Sequence, residues 1–464
     1  MEELLSELGS VLKDISSFIW GWPMIIMLLG THLFLSLRLK FPQRKIFTAI
    51  RLSLKRDKQA KHEGDVSPFA ALATALAATI GTGNIVGVAT AIQLGGPGAV
   101  LWCWLTGIFG MSTKYGEALL GVKYRVKTPD GRMLGGPMYT LERGLNMKWL
   151  GVIFAVFTAI AAFGIGNTVQ ANAISENISE MFSPNHVQTV KWIVGACMAL
   201  LVGVVIIGGV KSISRMCTAI VPFMALLYIL GCLVILGMNY SYIWDAICLI
   251  GREAFSFKAM GGGTAGTVIM VAARYGIARG LFSNESGMGS EPIVAAAAKT
   301  QNPVRQALVS SSGVFWDTVV ICALTGLVIV STIIAHPGIE EGAGLLTKRV
   351  FEKIPYVGMP LLSFGILTFA FSTILGWSYY GERAMEYLFG KHSIKYYRIA
   401  WVVFVFIGSI VGLGLVWDIA EIMNAFMAVP NLISLILLSG VLARDTQHFL
   451  WNGNLDQEVK PEDL

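Results

Sequence analysis

Apolar residues fall along this chain in long runs separated by short polar connections. A bilayer core takes about 20 apolar residues per helix. Eleven runs meet that length: 16–38, 67–93, 97–121, 149–181, 189–210, 217–238, 264–289, 305–334, 358–381, 399–417 and 422–443. The pattern predicts an all-α membrane protein with eleven transmembrane helices. The connections leave no room for a separate soluble domain, so 1–464 reads as one transmembrane domain. Within it, 1–66 holds a first span and a basic loop, 67–238 and 264–443 hold five spans each, and 444–464 is a tail.

Two runs are interrupted by glycine, which costs about 1 kcal/mol in a helix interior. The second contains Thr79-Ile80-Gly81-Thr82-Gly83-Asn84 near its middle. An unwound segment there frees backbone amides for a carboxylate. Its carbonyls, the Thr79 hydroxyl and the Asn84 amide oxygen suit a small hard cation. The competing reading is close helix packing through small residues. The seventh run starts with Gly261, Gly262, Gly263 and Gly266, continues through Ala273-Arg274-Tyr275-Gly276, and ends Ser283-Asn284-Glu285-Ser286-Gly287-Met288-Gly289. It lies five spans later and runs in the opposite direction, so 67–238 and 264–443 read as an inverted five-plus-five repeat with one extra N-terminal helix.

Composition agrees with the pattern. Of 464 residues, 55% are hydrophobic and 14% charged, against about 25% charged in an ordinary soluble domain. Mean hydropathy is +0.65. These values exclude a soluble globular enzyme and a disordered chain. The six cysteines are scattered without a CxxC pair and read as buried packing thiols, and the six histidines form no ligand-spaced group. The acidic N-terminus (Glu2, Glu3, Glu7) lacks the basic start of a signal peptide, so the first run is a retained span.

Net charge is +6, and its placement matters more than its size. The densest basic run follows the first span, from Arg38 to Lys61. Basic loops stay in the cytoplasm, and every second connection after it is basic too. That places the N-terminus outside the cell and the tail inside, in the plasma membrane. A juxtamembrane basic run is expected to face lipid, so it does not imply a nucleic-acid partner.

Polar side chains inside the spans are candidate functional groups. Arg274, Arg279 and Glu285 sit in or beside the second break, as a gate or as an Arg–Glu pair that only braces it. No acidic residue interrupts 79–84, which favours sodium over protons, although Asp317 and Glu117 are possible proton carriers and Lys114 stands one turn from Glu117. Helical spacing puts Phe163, Gly166, Asn167 and Gln170 on one face of the fourth span. Gln170 suits a substrate amine or carboxylate, or an interhelical hydrogen bond. On the ninth span, Thr368, Ser372 and Thr373 offer hydroxyls, and Trp377 suits the cap of a small pocket.

Three stretches resemble the alanine or glycine:cation symporters: Gly81-Thr82-Gly83-Asn84-Ile85-Val86-Gly87, Gly135-Gly136-Pro137-Met138-Tyr139 and Ser283-Asn284-Glu285-Ser286-Gly287-Met288-Gly289-Ser290. The resemblance covers essentially the whole chain. It implies the leucine-transporter-type fold and uptake of alanine or glycine coupled to sodium. It implies that Gly81, Thr82 and Gly83 bind the substrate carboxylate, lined by Thr79 and Ile80. One sodium would meet Thr79 and Asn84. A second would lie between the backbone at Ala77 and Ile80 and the hydroxyls of Ser372 and Thr373. Backbone at Ala273, Arg274, Tyr275 and Gly276 would face the amine end. An aromatic gate often stands on the fourth span of this fold, where Phe163 and Gln170 are the candidates.

The expected protein is therefore a sodium-coupled symporter of small neutral amino acids, working as a monomer by alternating access, with membrane lipid as its other partner. A proton-coupled transporter of the same fold, or an ion channel, would be the alternatives. The chain has no HExxH, Walker-type loop or nucleophile elbow, so no enzyme is expected.

Overall fold

Helices occupy the apolar runs, because a backbone in lipid must satisfy its hydrogen bonds within its own segment. The computed structural model describes residues 2–55, 63–182, 186–256, 267–339, 343–411 and 414–459. Gly261, Gly262, Gly263 and Gly266, part of the expected second break, lie outside the described residues.

The elements in chain order begin with α1 (Glu2–Ile19), α2 (Trp22–Arg38), α3 (Ile46–Leu54), α4 (Pro68–Thr79), α5 (Val88–Gly95) and α6 (Ala99–Lys123). A two-stranded hairpin of β1 (Val126–Lys127) and β2 (Met133–Leu134) follows. Then come α7 (Lys148–Phe163), α8 (Val169–Ser179), α9 (Val187–Ile207), α10 (Gly209–Met238), α11 (Ile243–Ala254) and α12 (Thr267–Asn284). The chain closes with α13 (Pro303–Val314), α14 (Ala323–Ala335), α15 (Ala343–Phe351), α16 (Gly358–Phe389), α17 (Ser393–Ile410), α18 (Gly414–Leu437) and α19 (Ser439–Asp445).

Among the described residues, eight helices are long and apolar enough to cross a membrane, and nine if the bent pair Pro68–Thr79 and Gly83–Gly95 counts as one span. The expected spans at 97–121 and 264–289 form α6 and α12. They fall outside that set because Lys114, Glu117, Arg274 and Arg279 dilute their apolarity. Both lie inside the bundle, α12 packed along α6 and against α5. α4 packs with α10, α13 and α16 around a core in which Ala71, Ala75, Ala77 and Ala78 are buried. Small side chains allow this: at Gly376 of α16 a Cβ would already stand 3.0 Å from that of Ala78. The outward faces of α9 and α10 leave Leu200, Val204, Phe223 and Leu226 exposed, the surface a bilayer covers.

Backbone also ties the two interrupted helices together. Asp65, just before α4, donates its N–H to the Ala297 carbonyl at 2.8 Å, and Lys299 donates to the Val66 carbonyl at 2.9 Å. The start of one broken helix and the end of the other therefore form one parallel bridge.

Candidate functional site

The first break falls where the glycines predict it. α4 ends at Thr79, and Ile80 leaves helical geometry at φ −74°, ψ 94°. The chain resumes as a wide turn over Gly83–Gly87, and the two halves differ in direction by 52°. Asn84 holds the gap closed from within. Its Oδ1 accepts the Gly81 N–H at 3.0 Å, and its Nδ2 donates to Asp317 Oδ1 at 2.8 Å. Asp317 lies on the wide helical stretch Phe315–Cys322 that joins α13 to α14. Its other oxygen accepts from Ser283 at 3.0 Å and Thr318 at 2.6 Å. All four side chains are buried. The Asp317 carboxylate and the Ser283 and Thr318 hydroxyls thus bring oxygens of the kind hard cations take to the Asn84 side chain, which turns its amide nitrogen to Asp317 and its oxygen to Gly81.

A second group lies on the other flank of the break. Thr373 and Ser372 donate towards the Ala77 carbonyl at 3.0 and 3.4 Å, while both also bond the Phe369 carbonyl on their own helix. Beside them a Cβ at Gly81 would stand 3.0 Å from Thr373 Oγ1 and 3.9 Å from Gln170 Oε1. Gln170 donates its Nε2 to the Ile165 carbonyl at 3.0 Å, and its buried Oε1 has no hydrogen-bond partner. That oxygen is an acceptor aimed at the Gly81 backbone. Thr82 and Gly83 line a cavity of about 470 Å³ together with Asn172, Arg279 and Phe282. The Thr79 hydroxyl turns back to the Ala75 carbonyl at 3.3 Å.

Other expected residues lie elsewhere. Ala273, Arg274, Tyr275 and Gly276 belong to the continuous helix α12, so their backbone is committed to helical hydrogen bonds and does not face a ligand. Gly276 serves packing instead, since a Cβ there would lie 2.3 Å from the Ala99 carbonyl oxygen. The second unwinding comes later, with positive φ at Glu285, Gly287 and Gly289. No Arg–Glu pair braces it. Arg274 lies over the Tyr275 ring and reaches the Ser17 carbonyl, and Arg279 lines the cavity that Thr82 and Gly83 share. Phe163 and Asn167 do not share a face with Gly166 and Gln170. The Phe163 ring packs on Tyr397, Trp401 and Phe404, and Asn167 donates to the Trp401 carbonyl at 2.9 Å. Gly166 and Gln170 turn to α16 and the first break. The wide turn over Gly164–Thr168 inserts an extra residue, which shifts the helical register between them. Trp377 abuts Gly166 and donates its indole N–H to Glu285 Oε1 at 3.2 Å.

Residues 5–462 match the sodium:alanine symporter family. The chain belongs to that family. It is 49% identical over 447 residues to the sodium/alanine symporter AgcS of Methanococcus maripaludis, covering 95% of this chain and 97% of that one. It is 34% identical to the probable sodium/glutamine symporter GlnT of Bacillus subtilis, over 95% of this chain and 90% of that one. Among solved structures, MhsT in complex with L-phenylalanine aligns with a TM-score of 0.59 at 16% identity, over 84% of this chain and 94% of that one. The shared fold is the leucine-transporter type. This protein is thus a multi-pass membrane transporter whose activity is amino-acid symport.

Ser283 and Phe282 of the symporter escape sequence reasoning as site residues, Asp317 enters it only as a proton carrier and not as the partner of Asn84, and the bracing role of Glu117 escapes it too. Glu117 Oε1 accepts the Gly287 and Gly289 N–H groups at 3.1 and 2.9 Å and the Asn431 amide at 2.6 Å. Lys114 bridges the same region, 3.8 Å from Glu117 Oε2 and 3.1 Å from the Glu285 carbonyl. The proton-carrier candidate is therefore a clamp on the second break. Glu117→Ala should strand a buried ammonium and two amides, at a cost of about 3–5 kcal/mol. A fall in the thermal unfolding midpoint checks this, and a wild-type midpoint would refute it.

Proposed function

We propose that the symporter imports alanine and glycine with sodium by alternating access, as a single chain in the plasma membrane with its N-terminus outside and its tail inside. Eleven spans, 67–238 and 264–443 as the two inverted five-helix repeats, complete that reading. Its main support is the first break: the Gly81 backbone lies beside the unpartnered Gln170 Oε1 and the Thr373 hydroxyl, and its N–H is held by Asn84, which reaches the Asp317 carboxylate. Amides at Gly81, Thr82 and Gly83 take the substrate carboxylate, which releases Asn84 Oδ1 from the Gly81 N–H for the ion, and Gln170 Oε1 accepts from the substrate ammonium. One sodium takes Asn84, Ser283 and Asp317, with backbone near Thr79. The second takes the Ala77 and Ile80 carbonyls with Ser372 and Thr373. Each sodium favours the state that also holds substrate, so the two bind with positive coupling.

Labelled-alanine uptake into proteoliposomes under a sodium gradient, with choline and proton-gradient controls, tests the reading. Uptake driven only by sodium supports it. Uptake driven by protons alone would transfer the coupling role to Asp317, whose carboxylate is the one acidic group that touches the first break among the described residues. Asn84→Ala should raise the half-saturating sodium concentration about tenfold, the loss expected of one hydrogen bond to a charged group. Gln170→Ala should weaken alanine binding by a similar factor and leave the sodium dependence unchanged. Equal effects of both variants on both ligands would overturn this division of roles.

A further inference from the structure

Away from the transport site, where α16 ends and α17 begins, a cavity of about 850 Å³ is lined by seven cationic side chains and three carboxylates. Each carboxylate is already engaged. Asp65 accepts the Met133 N–H at 3.1 Å. Asp130 accepts from Thr128, Lys391 and Arg132, which hold its carboxyl well below the usual range. Glu382 accepts from Arg398 at 2.6 and 3.0 Å and pairs with Arg383. Lys211, Lys299 and Lys395 remain without an acidic partner among the described residues. The buried Arg383, which lines the same wall, has an Nε with no hydrogen-bond partner. The cavity therefore holds uncompensated positive charge on three lysines beside a buried Arg383 that is paired with Glu382 and Glu386 but keeps a free Nε–H, and such a site favours an anion with several acceptor oxygens.

The rim says where that anion comes from. Ile207 and Ile399 line the opening and are 73% and 55% exposed. Ile207 continues the exposed apolar face of α9 through Val204 and Leu200. A soluble anion has no use for an apolar rim, whereas a phospholipid places its phosphate in the charged part and its acyl chains along the helix face. The site also lies on the side of the basic 38–61 segment, since Asp65 follows that segment directly. That is the side where anionic headgroups meet juxtamembrane Lys and Arg. We propose that this cavity binds the phosphate headgroup of an anionic phospholipid.

Thermal unfolding of the full chain in detergent micelles doped with phosphatidylglycerol, or with phosphatidylcholine at the same mole fraction, tests this. Phosphatidylglycerol should raise the midpoint by about 2 °C or more over phosphatidylcholine, as a ligand of the folded state does. The shift should disappear in Lys211→Gln/Lys395→Gln and persist in Lys353→Gln, which removes one charge, as Lys395→Gln alone does, but at the opposite end of α16. Because the wild-type comparison of the two lipids needs no variant, a poorly folding double variant does not spare the proposal. Lys395→Gln alone, at an exposed position, should reduce the shift. Equal midpoints in the two lipids, or a full shift in the double variant, would overturn the site. An equal rise with glycerol 3-phosphate at matched ionic strength would overturn the lipid in favour of a soluble anion.

Discussion

Gly166→Ala should abolish transport and sharply reduce the yield of folded protein. A Cβ at this position would lie 2.1 Å from Trp377 Cβ and 2.3 Å from Trp377 Cγ. Those are the first atoms of the tryptophan side chain, so no rotamer change clears them. Trp377 is also buried and anchored to Glu285 through its indole N–H. Relief therefore requires α16 to separate from the α7–α8 junction, and that would move Gln170 away from Gly81 and drag Glu285 out of the second break. Overpacking a rigid core costs about 1–3 kcal/mol where side chains can shift, and here the contact is with the base of a fixed ring, so the cost lies at or above the top of that range. Uptake and thermal midpoint should fall together. Gly203→Ala on α9 is the matched control, because its added methyl would meet only Val402 Cγ2, at 3.5 Å. Near wild-type uptake in Gly166→Ala would show that the two helices are not locked through this contact.

This contact also shows what could be read in the sequence. The run of apolar residues located α7, α8 and the start of α16 to within a few residues, because spans are set by local hydrophobicity and length, while α16 continues past the expected end at 381 to Phe389. The first break was legible for a similar reason: Gly81, Gly83 and Asn84 are poor helix formers placed together in an apolar run. The face carrying Gly166 was not legible. A wide turn over Gly164–Thr168 changes the helical period, and nothing in Gly-Ile-Gly-Asn-Thr states whether glycine will widen a turn, admit a neighbour or unwind the chain. α12 repeats the lesson. Gly276 and Gly280 are there for close approach, to the Ala99 carbonyl and the Thr106 hydroxyl, whereas Gly287 and Gly289 adopt positive φ and carry the real break. Residue type alone did not separate the two pairs, since the run from Gly261 to Gly289 reads as one interrupted stretch. The polar cluster around Asn84 was hidden for a different reason. Asn84 and Asp317 are 233 residues apart, and only the packing of the first break against the stretch that joins α13 to α14 brings them together.

That pairing carries the second large expected effect. Asp317→Asn keeps the shape of the side chain and, with its amide oxygen toward Asn84, one acceptor; its amide nitrogen then faces the Ser283 and Thr318 hydroxyls, which can accept, so the main loss is the charge. If the Asn84–Ser283–Asp317 cluster holds a sodium ion, the neutral variant should lose sodium-driven uptake almost completely, because the site then has no anion to offset a cation in the bundle core. Alanine should still bind at saturating sodium, with its affinity lowered by the lost coupling. Asp317→Ala should do more damage, since it also leaves the Asn84 amide and the Ser283 hydroxyl without their acceptor, at about 1–3 kcal/mol for each buried group. The two variants therefore separate charge from structure. Sodium titration of uptake, read beside alanine–alanine exchange under symmetric ions, distinguishes the coupling modes. If Asp317 carried a proton instead, Asp317→Asn would resemble a permanently protonated carrier: net pH-driven uptake would stop while exchange continued at full rate. If it binds sodium, exchange should regain its rate only as sodium is raised. Unaltered sodium dependence in Asp317→Asn would remove the carboxylate from the ion site and leave it a hydrogen-bond partner that positions Asn84.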